Sequence, residues 1–207
     1  MPQYKLTYFD LAALVEPIRW VFKIAGVDFE DERIPREDWE EKYKLNGRFP
    51  MEQVPILEID GEVYTQSGAI LRYLAKKYGL VTGDELLDLK VDQADQLVID
   101  GFNEYAKWVR EKDPERQANQ KAHMVKTALR LILTQLQGIV TASGGDFVAG
   151  SKLTYADLSI ANWFNIWANH IDPEIPTKYP RLSEHNKAVL AVPQIKAWIE
   201  VRPKTPV

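Results

Sequence analysis

Asp60-Gly61 sits between two short runs, Ile56–Ile59 and Glu62–Tyr64. An Asp-Gly pair in that setting is the strongest short-range signal for a β-hairpin. Pro55 stands directly before the first run. Gln66-Ser67 follows the second, at the mouth of a helical pattern from Ser67 to Tyr78 with Ile70, Leu71, Leu74 and Ala75 apolar. A hairpin that runs straight into an amphipathic helix must bury one face of its sheet against that helix. This limits the first part of the chain to a layered α/β arrangement.

The preceding residues fit such an arrangement. Tyr4–Phe9 is aromatic and β-branched, which suits a strand. In Val15–Gly26, Pro17 fits a first helical turn and Gly26 a C-terminal stop, with Ile18, Val21, Phe22 and Ala25 on one face. Phe29–Ile34 reads as a second strand, and Arg36–Lys44 as a short charged helix or irregular turn. The order is β-α-β-α-β-β-α, which implies a partly parallel sheet covered on both faces. After Gly79 the pattern changes to helices only. Asp84–Lys112 and Pro114–Ala142 read as long helices, Leu153–Asp157 opens a third, and Tyr179–Val192 and Pro193–Arg202 supply further helical pieces. Thr154 and Asp157 have capping-box spacing, with Leu153 and Leu158 as the staple. The expected organisation is an α/β domain over residues 1–79, a linker over 80–83 and an all-helical domain over 84–207.

Composition removes several function classes. The 207 residues carry a net charge of -4, which gives no reason to expect nucleic acid or an anionic membrane as partner. No apolar run reaches bilayer-spanning length, and the N-terminus lacks a signal-peptide pattern. The expectation is a cytoplasmic protein. There are no cysteines, so disulfides, thiolate zinc sites and a cysteine nucleophile are excluded. Thiol-disulfide exchange is excluded with them, and any thiol chemistry must use a thiol carried by the ligand. His123, His170 and His185 lack metal-ligand spacing, and no metal is expected.

The residues that remain point to a small peptide-like ligand. Beside Pro55, Val54 can expose both backbone N–H and C=O to an extended peptide. Ser67 fits two roles, as a helix cap or, with the helix N-terminus behind it, as a holder of a carboxylate. Tyr8 ends the first strand, where α/β sheets place ligands. It is either a buried tyrosine with a satisfied hydroxyl or a donor to a ligand thiolate. Asp92, Asp95 and Asp100 read as a solvated helix face.

Taken in order, Tyr4–Phe9, Glu16-Pro17-Ile18-Arg19, Trp39, Val54–Glu58, Gln66-Ser67 and Leu153–Asp157 resemble cytosolic glutathione S-transferases. The sigma class matches best, and the Pro193–Pro203 ending is similar to it; Ala13–Pro17 resembles its arthropod members. The resemblance implies a thioredoxin-like N-terminal domain, an all-α C-terminal domain, a homodimer, and glutathione as co-substrate. It implies that Tyr8 supports the thiolate, and that Trp39 and Lys44 bind the glycine end. Gln53 and Val54 would flank the cysteine part, Gln66 and Ser67 would hold the γ-glutamyl end, and Asp95 would reach the partner subunit's site. Phe9, Leu14, Tyr105, Trp108 and Tyr155 are candidate walls for a small hydrophobic electrophile.

The chain departs from the family pattern at three places. Leu14 replaces an arginine common in sigma enzymes, Asn46–Phe49 looks inserted, and Glu52 stands where glycine is usual. The expected function is conjugation of glutathione to hydrophobic electrophiles in detoxification. The alternatives are prostaglandin D isomerisation or lipid-peroxide reduction on the same scaffold, and a crystallin-like structural role.

Overall fold

The computed structural model describes residues 2–205. Strands β1 (Tyr4–Phe9), β2 (Glu30–Ile34), β3 (Ile56–Ile59) and β4 (Glu62–Thr65) form one mixed sheet in the order β2-β1-β3-β4. β1 and β2 are parallel, joined by the crossover helix α1 (Glu16–Ala25), as a parallel pair requires. β3 is antiparallel to both β1 and β4. Asp60 and Gly61 both take positive φ, 52° and 88°, and close the β3–β4 hairpin as their sequence demands. Helix α2 (Ser67–Lys77) follows. Leu6, Leu57, Ile18, Phe22 and Leu74 are fully buried between the sheet and its helices. This is the thioredoxin-like arrangement, with a mixed four-stranded sheet.

The opposite face of the sheet is covered by neither helix. A 3-10 turn (Arg36–Asp38) and one π-helical turn (Trp39–Tyr43) stand where a short charged helix or irregular turn was expected. Beyond them Ile34, Trp39, Phe49 and Ile56 form a second small core, with Phe9, Tyr43, Val54 and Val63 packed on it.

Residues Val81–Val192 form a separate compact helical unit. It contains α3 (Glu85–Arg110), α4 (Pro114–Lys126), α5 (Ala128–Ala142), α6 (Tyr155–His170), the short α7 (Ile175–Lys178) and α8 (Pro180–Leu190). The single long helix expected over Pro114–Ala142 is broken at Thr127, whose backbone leaves helical values (φ -116°, ψ -91°). The Thr127 hydroxyl donates to the His123 carbonyl at 2.7 Å, a local bond that competes with the helical ladder and bends it.

Helix α6 is buried on nearly every side, and α3 and α8 pack against it. Its capping box is present. The Asp157 carboxylate accepts from the Thr154 N–H at 2.7 Å, from the Val148 N–H at 2.7 Å and pairs with His185 at 2.9 Å. Gly101 lets α3 lie directly on Trp167, because a Cβ there would collide with the indole ring.

The chain up to Leu80 forms the other unit together with the segment beginning at Pro193. Helix α9 (Pro193–Val201) was expected within the helical domain, but its contacts are with α1. The join is Glu16, only 1% exposed. Its carboxylate accepts from Trp20 (3.0 Å), Arg19 (3.1 Å), Trp198 (2.8 Å) and Arg202 (2.5 Å). Arg19 in turn donates to Asp31 (2.9 Å) and to the Leu11 carbonyl (2.8 Å). The turn that leaves β1 is therefore fixed by the same buried charge that holds α9.

Candidate functional site

The sheet register brings the sequence candidates to one edge. Thr7 pairs with Ile56, and Ile56 with Thr65. One residue further along each strand stand Tyr8, Pro55 and Gln66. Three separate stretches thus end side by side, about two interstrand spacings or ~10 Å across.

Each stretch offers a different group. Tyr8 is 6% exposed, with its ring 5.5 Å from that of Phe9. The Val54-Pro55 bond is cis, and Val54 is half-buried. Among the described residues, neither the N–H nor the C=O of Val54 takes part in a hydrogen bond. An extended peptide laid there could pair with both.

Gln66 makes the whole turn from β4 into α2. It holds φ 71° and ψ 105°, which L-residues rarely adopt and which costs on the order of 1–3 kcal/mol. Ser67 is the first residue inside α2 and makes no side-chain cap. Among the described residues, the N–H groups of Ser67, Gly68 and Ala69 have no protein acceptor. Amides of this kind, together with the helix dipole, are able to hold a carboxylate.

The glycine-end candidates lie on the segment after β2. Trp39 is 9% exposed and packs edge-on against Phe9 (5.6 Å) and Phe49 (5.0 Å). Lys44 lies on the surface, paired with Glu40 at 2.9 Å one turn back. Such a pair is worth about 0.3–0.5 kcal/mol and yields readily to a better anion. Gln53 is exposed, and so is Glu52.

Glu52 takes φ 48°, which explains the usual glycine at this place. A side chain in that region costs roughly 1–2 kcal/mol, partly offset by the greater freedom of an unfolded glycine. Glu52→Gly is expected to leave thermal stability equal or up to about 1 kcal/mol higher, and to tighten glutathione binding by removing a nearby negative charge. A lower melting temperature in that variant would overturn the strain argument.

The helical-unit candidates separate into two places. Tyr105 packs on Trp108 (5.4 Å) and Trp163 (5.5 Å), and burial pushes its hydroxyl pKa up. Tyr155 instead turns into the unit and donates to Asp92. Asp92 precedes Tyr105 by more than three turns of α3, about 20 Å, so Tyr155 shares no wall with Tyr105 and Trp108. Asp95 also differs from expectation. It is 1% exposed and accepts from Ser159 at 2.6 Å. That inward position does not fit a carboxylate offered to a second subunit. Leu14 lies half-buried in the turn after β1, held by the Arg19–Leu11 bond. Among the described residues no group of three metal-ligating side chains occurs, and no helix is long and apolar enough to cross a membrane.

Fold and edge together define a thioredoxin-like module with an open strand edge, followed in the chain by a helical unit. Family models assign the same parts: glutathione S-transferase N-terminal domain over residues 4–76 and glutathione S-transferase C-terminal domain over 99–202. The chain is 36% identical to glutathione S-transferase 1 of Ascaris suum, over 100% of both chains. It is 32% identical to hematopoietic prostaglandin D synthase of Homo sapiens, over 99% of both. The solved prostaglandin synthase D of Nilaparvata lugens matches with a TM-score of 0.89 at 35% identity, covering 99% of this chain and 100% of that one. The chain belongs to the glutathione S-transferase family.

Proposed function

We propose that the protein is a glutathione transferase that adds the glutathione thiolate to hydrophobic electrophiles. The observation that carries this reading is the shared strand edge of Tyr8, Val54 and Gln66-Ser67. The γ-glutamyl carboxylate would sit on the open N-terminus of α2 with the Ser67 hydroxyl. The cysteinyl amide would pair with Val54, and the sulfur would fall near Tyr8. Trp39, Lys44 and Gln53 would hold the remaining glycine end and backbone. The ~10 Å across the edge suits that span of the tripeptide.

The tyrosine hydroxyl donates to the sulfur, lowers its pKa from about 8.5 and keeps more of it as thiolate near neutral pH. The electrophile accepts the sulfur lone pair and loses its leaving group or takes up a proton. Within the unit that carries Tyr8, Phe9 and Leu14 are the residues we assign to receiving it. We assign the chain to a sigma-like class acting as a cytoplasmic homodimer, a reading supported by the residues of the Tyr4–Phe9, Glu16–Arg19 and Val54–Glu58 stretches. The similarity to two proteins named as prostaglandin D synthases favours a second reading, isomerisation of a prostaglandin endoperoxide with glutathione at the same site.

The deciding assay is conjugation of glutathione to a chlorodinitrobenzene reporter, with product analysis on an endoperoxide beside it. Ser67→Ala should raise the glutathione KM about tenfold or more, as loss of a hydrogen bond to a charged group does, with kcat within twofold. Glutathione binding without turnover of either substrate would overturn the transferase reading in favour of a structural role.

A further inference from the structure

The segment from Trp39 to Val54 carries four of the residues assigned to glutathione, yet it has little regular structure. Two neighbouring side chains hold it down. Phe49 is 3% exposed and plugs the second core against Trp39. Arg48 reaches across the uncovered face of the sheet. Its guanidinium donates to the Thr7 hydroxyl on β1 (2.8 Å), to Glu32 on β2 (2.5 Å) and to Glu58 on β3 (2.7 Å). It also lies over the Phe49 ring, 5.4 Å from its centroid. One side chain is thus bonded to three strands, and one of its partners, Thr7, directly precedes Tyr8.

We propose that Arg48 is a positioning residue for glutathione: it fixes the Trp39–Gln53 segment against the sheet at the height where the tripeptide is received. The inference rests on the glutathione reading of the site. The residues that look like an insertion in the sequence are then the fastening of that site. Arg48 touches no reacting atom and acts through Trp39 and Gln53, while Val54 is held by its attachment to β3. All three acceptors converge on one terminal nitrogen of the guanidinium, so a lysine ammonium, with three N–H groups on one nitrogen, can replace part of the set.

The anchor holds throughout the working pH range. Burial pushes the Glu32 carboxyl up, but hydrogen bonds from Arg48 and Thr7 outweigh it and bring the pKa down to about 2. Since the folded value lies below the unfolded one near 4.3, this stabilisation is complete at neutral pH and disappears only as pH falls toward 2.

The experiment compares Arg48→Met and Arg48→Lys with the unsubstituted protein. Methionine keeps the stem on Phe49 and loses every hydrogen bond. If the segment then occupies its receiving position about one fifth of the time, the glutathione KM rises about fivefold. The expected pattern is that rise with kcat within twofold, an unchanged KM for the electrophile, and partial recovery in Arg48→Lys. Amide exchange in residues 40–53 should quicken in Arg48→Met and slow again under saturating glutathione.

Should Arg48→Met fail to fold, Glu58→Gln removes one of the two carboxylates and should show the same pattern in smaller measure. An unchanged glutathione KM and unchanged exchange in these variants, or a loss confined to kcat, overturns the proposal while leaving the transferase reading intact. Failure of the unsubstituted protein to bind or use glutathione overturns both.

Discussion

Tyr8→Phe is expected to lower kcat/KM for conjugation at pH 7 by about tenfold to a hundredfold, with glutathione affinity nearly unchanged. The hydroxyl contributes only to the sulfur. The carboxylate at α2 and the backbone pairing at Val54, which supply most of the binding, remain. A free thiol titrates at about 8.5, and each unit of lowering corresponds to about 1.4 kcal/mol in favour of the anion. Removing the donor raises the bound thiol's pKa, so the loss should be large at pH 6–7 and shrink as pH approaches 9. Loss of a single preorganised donor to a developing anion costs about 10²–10³ at the upper end. A thiolate already formed in the ground state should respond less. The measurement is the pH profile of kcat/KM in both proteins. Superimposable profiles would remove Tyr8 from the mechanism and leave the α2 N-terminus as the only electrostatic contribution.

Glu16→Ala carries the largest expected effect on stability, about 3–5 kcal/mol of destabilisation. The carboxylate is 1% exposed and receives four donors, Arg19 and Trp20 from α1 and Trp198 and Arg202 from α9 and the residue just past it. Its removal leaves Arg19, itself fully buried, with Asp31 and one carbonyl, and leaves two indole N–H groups without an acceptor. For a chain of this size each kcal/mol lowers the melting temperature by about 2–4 °C, so a fall of roughly 6–20 °C is expected. Glu16→Gln keeps an acceptor oxygen and should fall less. Thermal unfolding of the two variants checks this, and a shift below about 2 °C in Glu16→Ala would show that water replaces the carboxylate.

These two residues mark where the sequence was legible and where it was not. Asp60-Gly61, Pro17, Gly26 and the Thr154–Asp157 box announce local structure because each meets a backbone requirement within a few residues. The strand edge could be read from Val54-Pro55 and Gln66-Ser67 for the same reason. The Glu16 cluster could not, because Trp198 and Arg202 are more than 180 residues away and a glutamate in a first helical turn has an ordinary surface explanation. Arg48 and Phe49 looked like an insertion, although an aromatic residue in so polar a stretch was a signal of burial. Asp95 and Tyr155 were placed by analogy, and their orientation depended on which helix face meets Ser159 and which turn of α3 meets α6. The break at Thr127 was hidden because neither proline nor glycine marks it. The polar residues of α4, of which only Met124 is buried, read as a solvated continuation of the apolar repeat that begins at Leu129.

β3 is hydrogen-bonded along both edges, to β1 and to β4, over its whole length. A strand held that way has no freedom to slide, since a shift of one residue would turn Leu57 outward and Glu58 into the core. The position of Val54 is therefore set from downstream. Extra residues in the preceding loop cannot push it, because the first paired residue absorbs no displacement. Loop length before the strand is thus uncoupled from where Val54 lies, so chains of this architecture can lengthen that loop, and fasten it to the sheet separately, without re-aiming the backbone that pairs with the peptide.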